Sequence, residues 1–222
     1  MRFDGFIFDL DGTLADSMWL WDGLLDQWLM HRGFGPQPGL AEEIAHMTAT
    51  QSAELAVKRF HLSETPEQVM GQWTQLSMDA YAHKIQPKPG AVDFLKCLKA
   101  QGMPIALATS CIPETAYAFL DAHDIRPLID AIVFTDQVAR GKEYPDVYLE
   151  AARRIRVNPQ KCVVFEDIPQ AVKGVRAAGM ALVGISDPHC DQTLLKKKAD
   201  LFLPDYAHPL LAVFAGFPKD LR

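Results

Sequence analysis

Cysteine is scarce in this chain, and what there is lies scattered. Cys97, Cys111, Cys162 and Cys190 are the four among 222 residues, and no two form a CxxC pair. That spacing excludes a disulfide framework and a zinc ribbon, and it predicts reduced thiols in a cytoplasmic protein. Long hydrophobic runs are missing too, so no segment can cross a bilayer as a helix. The opening stretch MRFDGFIFDLDG is interrupted by Asp4, Asp9 and Asp11 and does not read as a signal peptide. Basic charge is in deficit: 22 Lys and Arg stand against 28 Asp and Glu, a formal net charge of −6. This excludes a general nucleic-acid binder. Neither nucleic acid nor a membrane is expected as a partner. The single basic run, Lys196-Lys197-Lys198, reads as a solvated helix end favoured by the helix dipole. Internal repeats and low-complexity tracts are also absent.

What the chain does have is 49% hydrophobic residues, enough for a substantial core. They fall in five short apolar runs, at 5–9, 104–109, 131–136, 161–167 and 180–185. Several are rich in Val, Ile and Phe, as strands buried on both faces require. Helical stretches are expected between the last four runs, at 113–123, 145–156 and 169–178. Pro113, Pro145 and Pro169 each suit a first helical turn, and Gly179 suits a C-terminal cap. Such alternation predicts an α/β fold, a doubly wound and mainly parallel sheet. One segment departs from it. Residues 16–85 contain no convincing strand; Trp21, Leu24, Leu25 and Trp28 share one helical face, and 39–47, 50–60 and 66–82 look helical. The expectation is therefore an α/β core domain, residues 1–15 and 86–222, carrying an inserted all-helical cap domain, residues 16–85. A monomer is expected, with a dimer left open.

Ligands of an open parallel sheet bind beyond the carboxyl ends of its strands. Four of the five runs leave polar residues there: Asp9-Leu10-Asp11-Gly12-Thr13, Thr109-Ser110, Thr135-Asp136 followed by Lys142, and Glu166-Asp167. A cluster of carboxylates is costly unless something positive sits in it. Oxygen ligands favour Mg2+ with a phosphate as partner, and one lysine with hydroxyl and N–H donors suits a phosphoryl group. One carboxylate could attack phosphorus while a second handles the proton. Asp9 and Asp11, two apart, point the same way in an extended segment. A calcium loop beginning at Asp9 is excluded, because Leu14 and Leu20 occupy the positions that need glycine and glutamate.

These residues resemble the motifs of the haloacid dehalogenase-like phosphohydrolases. Asp9-Leu10-Asp11-Gly12-Thr13-Leu14 looks like the first motif, Thr109-Ser110 the second, Lys142 in GKEYPDVY the third, and Glu166-Asp167 the fourth, followed by the helix carrying VRAAGM. The insertion after the first motif is similar to the small helical cap of the β-phosphoglucomutase-like branch. The resemblance implies that Asp9 is nucleophile and Mg2+ ligand. It implies that Asp11 is general acid/base, with its backbone carbonyl on the metal. Thr109, the backbone of Ser110, and Lys142 would hold the phosphoryl group; Asp167 with Glu166 would complete the metal site. Glu143 and Ile168 stand where the family usually has Pro and Ser, which bears on local geometry more than on activity. Trp21 stands where β-phosphoglucomutases carry a His, and the stretch 47–51 lacks their cap Arg. Leu20-Trp21-Asp22 looks more like the sugar-phosphate phosphatases, and Trp21 is a candidate substrate contact. The expected function is Mg2+-dependent hydrolysis of a small phosphorylated metabolite, most plausibly a sugar phosphate. The rivals are a phosphomutase and, from another class, a receiver-type signalling module. Cys111 reads as a bystander, Asp136 as structural, and His31, His46, His61 and His83 are assigned no role.

Overall fold

The computed structural model describes residues 3–44, 46–189 and 192–211, with residues 22, 41 and 42 by their backbone alone. Cys190 lies outside the described residues; Cys97, Cys111 and Cys162 are free thiols. Among the described residues no helix is long and apolar enough to cross a membrane.

Among the described residues six strands, β1 (Gly5–Phe8), β2 (Ile105–Thr109), β3 (Ala131–Phe134), β4 (Cys162–Glu166), β5 (Ala181–Ile185) and β6 (Leu201–Leu203), form one sheet. Its order is β3-β2-β1-β4-β5-β6, every neighbouring pair parallel. Alternation within each apolar run sends residues to opposite faces. Phe6 and Phe8 join a cluster with Phe94, Leu95 and Phe165, in which Phe8 and Phe165 stack at 4.4 Å. Ile7, Ala106 and Val164 face a second cluster with Val147, Tyr148 and Val175. Helices α5 (Ala91–Ala100) and α6 (Pro113–Ala122) supply the first cluster, and α7 (Asp146–Arg154) and α8 (Ala171–Ala177) the second. The fold is thus the doubly wound parallel α/β sheet that the sequence implied.

Several boundaries differ from expectation. β3 stops at Phe134, because Thr135–Gln137 turn into a short 3-10 helix. Pro145 is the N-cap residue of α7, ahead of its first turn. Pro169 lies two residues before α8 and outside its first turn, the N-cap being Gln170. Gly179 follows α8 with φ +73°, the left-handed conformation of a helix stop. Strand β6 and helix α5 were not expected from the sequence, whereas α9 (Thr193–Lys198) is the helix whose end was read at the lysine run. Lys196, Lys197 and Lys198 form the last turn of α9.

Between β1 and α5 the chain forms α1 (Met18–Met30), α2 (Leu40–Ile44), α3 (Ala49–Arg59) and α4 (Pro66–His83), with no strand among the described residues. Among the described residues of the stretch expected to be helical over 39–47, those at Leu40–Ile44 are helical. Helices α3 and α4 both open on reciprocal capping boxes, Thr48 with Gln51 and Thr65 with Gln68, each cap stabilising by about 1 kcal/mol. Leu24, Leu25, Trp28, Ala53, Val69 and Trp73 make a third apolar cluster, which Ile112 enters from beyond β2. The chain enters and leaves this insertion side by side, through an Ala15–Pro87 bridge and an Asp16 N–H donated to Gln86.

Candidate active site

From β1 the chain steps to β2 and β3 on one side, and later to β4, β5 and β6 on the other. The carboxyl ends of β1 and β4 therefore flank a topological switch point, where open α/β sheets leave a crevice. Asp9 follows β1 directly, and its N–H donates to Phe165 of β4 at 3.0 Å. Glu166 ends β4 and Asp167 follows it. All three are buried, Asp9 at 4% exposure. Lys142, also buried, reaches in from the loop after β3. Its Nζ stands 2.5 Å from Asp9 Oδ1 and 2.8 Å from Glu166 Oε1. Gly174 of α8 lets that loop approach closely, since a Cβ there would lie 2.1 Å from the Lys142 carbonyl. Gly12, at φ +73°, is similarly required: a Cβ would meet Asp167 Oδ2 at 2.2 Å.

The charge does not balance. Three carboxylates and one ammonium leave an excess of two negative charges in a buried space. Burial, followed by neighbouring carboxylates against Lys142, pushes the Asp9 carboxyl up to about 7. Burial and the charges of Asp9 and Glu166 push Asp167 well up, and burial raises Glu166 despite Lys142. For Lys142 burial works downward, but Asp9 and Glu166 outweigh it and hold the ammonium charged. A dication would remove this excess. Oxygens of Asp9, Glu166 and Asp167 lie within 4.8 Å of one another, and Glu166 Oε2 is buried with no hydrogen-bond partner among the described residues. An all-oxygen set of this kind fits Mg2+. Tyr148 donates to Glu166 Oε1 at 2.9 Å, Thr13 to Asp167 Oδ1 at 2.8 Å, and Gln192 to the Asp167 carbonyl at 2.9 Å, which orients both carboxylates.

The Asp11 carboxylate stands apart from that cluster. Its Oδ1 accepts from Ser17 at 2.6 Å and from Tyr81 at 2.5 Å. Asp9, Asp11, Thr109, Ser110 and Lys142 meet on the wall of one cavity of about 100 Å3. Thr109 Oγ1 accepts from the Cys111 N–H at 3.0 Å, and the Ser110 hydroxyl accepts from Thr135 at 3.2 Å. The wall that the insertion supplies is apolar but for Ser52: Met18, Trp21, Leu25, Ile44, Met47, Ala49 and Trp73. Among the described residues, the helical insertion adds no charged side chain to it. Trp21 presents its ring to the cavity, but its N–H is engaged by Tyr81. Ile168 lines the cavity as well.

Sequence reasoning missed Tyr81, Tyr148, Ser17 and Gln192. Only Thr13 carried a signal, as part of the quoted turn. Asp136 lies outside the cavity and accepts the Thr50 N–H at 3.4 Å, a contact between insertion and sheet. Glu143 faces His46 at 3.9 Å. Burial and the Asp11 charge push the Cys111 thiol well up, so it stays protonated, unsuited to nucleophilic chemistry.

Comparisons with known proteins give the family and the fold. The family model described as haloacid dehalogenase-like hydrolase matches residues 3–179. Hexitol phosphatase A of Escherichia coli (strain K12) is 32% identical over 192 residues, covering 85% of this chain and 85% of that protein. Fructose-1-phosphate phosphatase YqaB, from the same organism, is 30% identical over 83% of this chain and 97% of its own length. The crystal structure of β-phosphoglucomutase from Clostridium difficile superposes with a TM-score of 0.78 at 21% identity, covering 93% of this chain and 92% of that one, a likeness of fold.

Proposed function

Since the chain belongs to the haloacid dehalogenase-like hydrolases and is a phosphoric monoester hydrolase, we propose that it is a Mg2+-dependent phosphatase of a small sugar or polyol monophosphate, acting through an aspartyl-phosphate. The observation that carries this reading is Asp9 itself. It is a buried carboxylate at the switch point of the sheet, between Lys142 and the Glu166-Asp167 pair, and it opens on the cavity.

In this mechanism Lys142, the Thr109 hydroxyl and the Ser110 N–H hold the phosphoryl oxygens, drawing negative charge towards donors fixed in place before substrate arrives. An Asp9 oxygen attacks phosphorus while Asp11 protonates the departing alcohol oxygen. Asp11, now a carboxylate, takes a proton from water as that water attacks phosphorus and the bond to Asp9 breaks. Mg2+, held by Asp9, Glu166 and Asp167 with the Asp11 backbone carbonyl, would neutralise the excess negative charge and polarise the phosphoryl group. We read residues 1–15 and 86–222 as the catalytic domain and 16–85 as a cap that opens for substrate and closes against bulk water. Trp21 contributes an aromatic face to the leaving group rather than a hydrogen bond. The three free thiols fit a reducing, cytoplasmic compartment.

A phosphomutase must grip two phosphates. The uncharged wall that the insertion presents argues against that rival and for a leaving group without a second anion. The test is phosphate release from a panel of phosphorylated metabolites with Mg2+, together with Asp9→Asn. The variant is expected to lose turnover of p-nitrophenyl phosphate while keeping the fold. Retained activity in Asp9→Asn would refute the mechanism.

A further inference from the structure

The oxygens of Asp11 are not equivalent. Oδ1 receives two hydroxyl donors, Ser17 at 2.6 Å and Tyr81 at 2.5 Å. A carboxylate oxygen offers about two lone-pair sites, so Oδ1 is saturated. Trp21 Nε1, which can only donate, points at the Tyr81 oxygen from 2.8 Å. The phenol oxygen accepts that bond and turns its own single proton to Asp11. Tyr81 has no freedom to leave: it is fully buried in the cluster beneath α5 and α6, and meets the Trp21 ring edge-on at 6.3 Å. Tyr81 does not line the cavity, whereas Asp11 and Trp21 do. The chain of bonds thus runs from two helices of the insertion, α1 and α4, to a carboxylate on the sheet.

We infer that Tyr81, itself oriented by Trp21, is a positioning residue that fixes Asp11 so that Oδ2 is the oxygen that handles the proton. The inference rests on the phosphatase reading above. In the first half-reaction the Oδ2–H proton passes to the bridging oxygen as the bond from that oxygen to phosphorus breaks and the bond from Asp9 to phosphorus forms. In the second, Oδ2 takes a proton from water as the water oxygen bonds to phosphorus and the Asp9–phosphorus bond breaks. Without the Tyr81 hydroxyl the carboxylate keeps Ser17 and the neighbouring Cys111 thiol, a weak donor, and its two oxygens are less firmly distinguished.

The experiment compares two esters in wild type and in Tyr81→Phe, which keeps the ring and removes only the hydroxyl. p-Nitrophenyl phosphate has a leaving group that departs readily as an anion, while fructose 1-phosphate has an alkoxide that needs a proton. The parameter is kcat/KM, which reports the first half-reaction. Tyr81→Phe is expected to lower it about tenfold more for fructose 1-phosphate than for p-nitrophenyl phosphate. Trp21→Phe is expected to show the same selectivity to a smaller extent, and the double variant no more than Tyr81→Phe alone, as one chain of bonds requires. Equal losses of kcat/KM for the two esters would overturn the inference and leave the phosphatase reading standing. Wild type releasing phosphate from neither ester would overturn that reading and the inference together. A melting temperature for each variant separates a positional effect from loss of fold.

Discussion

Asp9→Asn should remove activity and, in the absence of Mg2+, make the protein more stable. The Asp9 carboxyl is pushed from its ordinary 3.8 up to about 7. A group whose pKa is raised by folding favours the folded state only while protonated. Its penalty is nil below about pH 3.8, grows as the pH rises towards 7, and is complete above that. At pH 8 a pKa about three higher, at roughly 1.36 kcal/mol each, corresponds to about 4 kcal/mol. Neighbouring carboxylates share the shift, so a gain of about 2–4 kcal/mol is expected from the neutral amide. At about 2–4 °C per kcal/mol for a chain of this size, the melting temperature should rise by roughly 4–16 °C. Lys142 keeps Glu166 at 2.8 Å and is not left alone. The assay is thermal melting of wild type and variant in EDTA at pH 5, 6.5 and 8, with the gap smallest at pH 5 and largest at pH 8. Mg2+ at a hundredfold over its dissociation constant should stabilise wild type by about 2.7 kcal/mol and narrow the gap, because the cation supplies what the variant obtains by losing a charge. A wild type more stable than the variant at pH 8 without metal, or a gap that does not move with pH, would refute the electrostatic account.

Two further substitutions probe the same centre from other sides. Lys142→Met leaves three buried carboxylates without their ammonium and should destabilise the protein by about 3–5 kcal/mol, read as a lower denaturant midpoint in EDTA, with phosphate release lost. Gly12→Ala places a methyl against Asp167 Oδ2 on a left-handed backbone; it should weaken Mg2+ binding about 10–100-fold, as displaced metal ligands do, measured by titration calorimetry.

The parts of the fold that were legible in the sequence are those governed by local pattern. Five strands show as short apolar runs between turn residues, several of them rich in Val, Ile and Phe. β6, three residues long, offers too short a pattern to stand out. α8 begins after Pro169 rather than at it, because two residues of turn carry the chain away from Asp167 first. At the site, the residues that end strands were readable because the parallel sheet gathers those ends. Tyr81 and Tyr148 were not: each lies inside an ordinary amphipathic helix, and only tertiary packing brings one hydroxyl to Asp11 and the other to Glu166. The orientation of Trp21 was equally out of reach, since its helical stripe fits either the insertion's own core or the cavity, and the ring touches both.

The two chain passes at the base of the insertion, bridged at Ala15 and Pro87, make the whole helical unit a long loop of β1 in topological terms. Its ends are already in contact, so exchanging one such unit for another of different length costs the sheet little closure entropy. Modular replacement of this kind could redraw the wall that meets the leaving group without disturbing Asp9, Lys142 or the Glu166-Asp167 pair. The exchange is not wholly free, because Tyr81 belongs to the unit being exchanged: a transplanted insertion must bring its own donor to Asp11, or the sheet receives a new specificity together with a loosened proton donor.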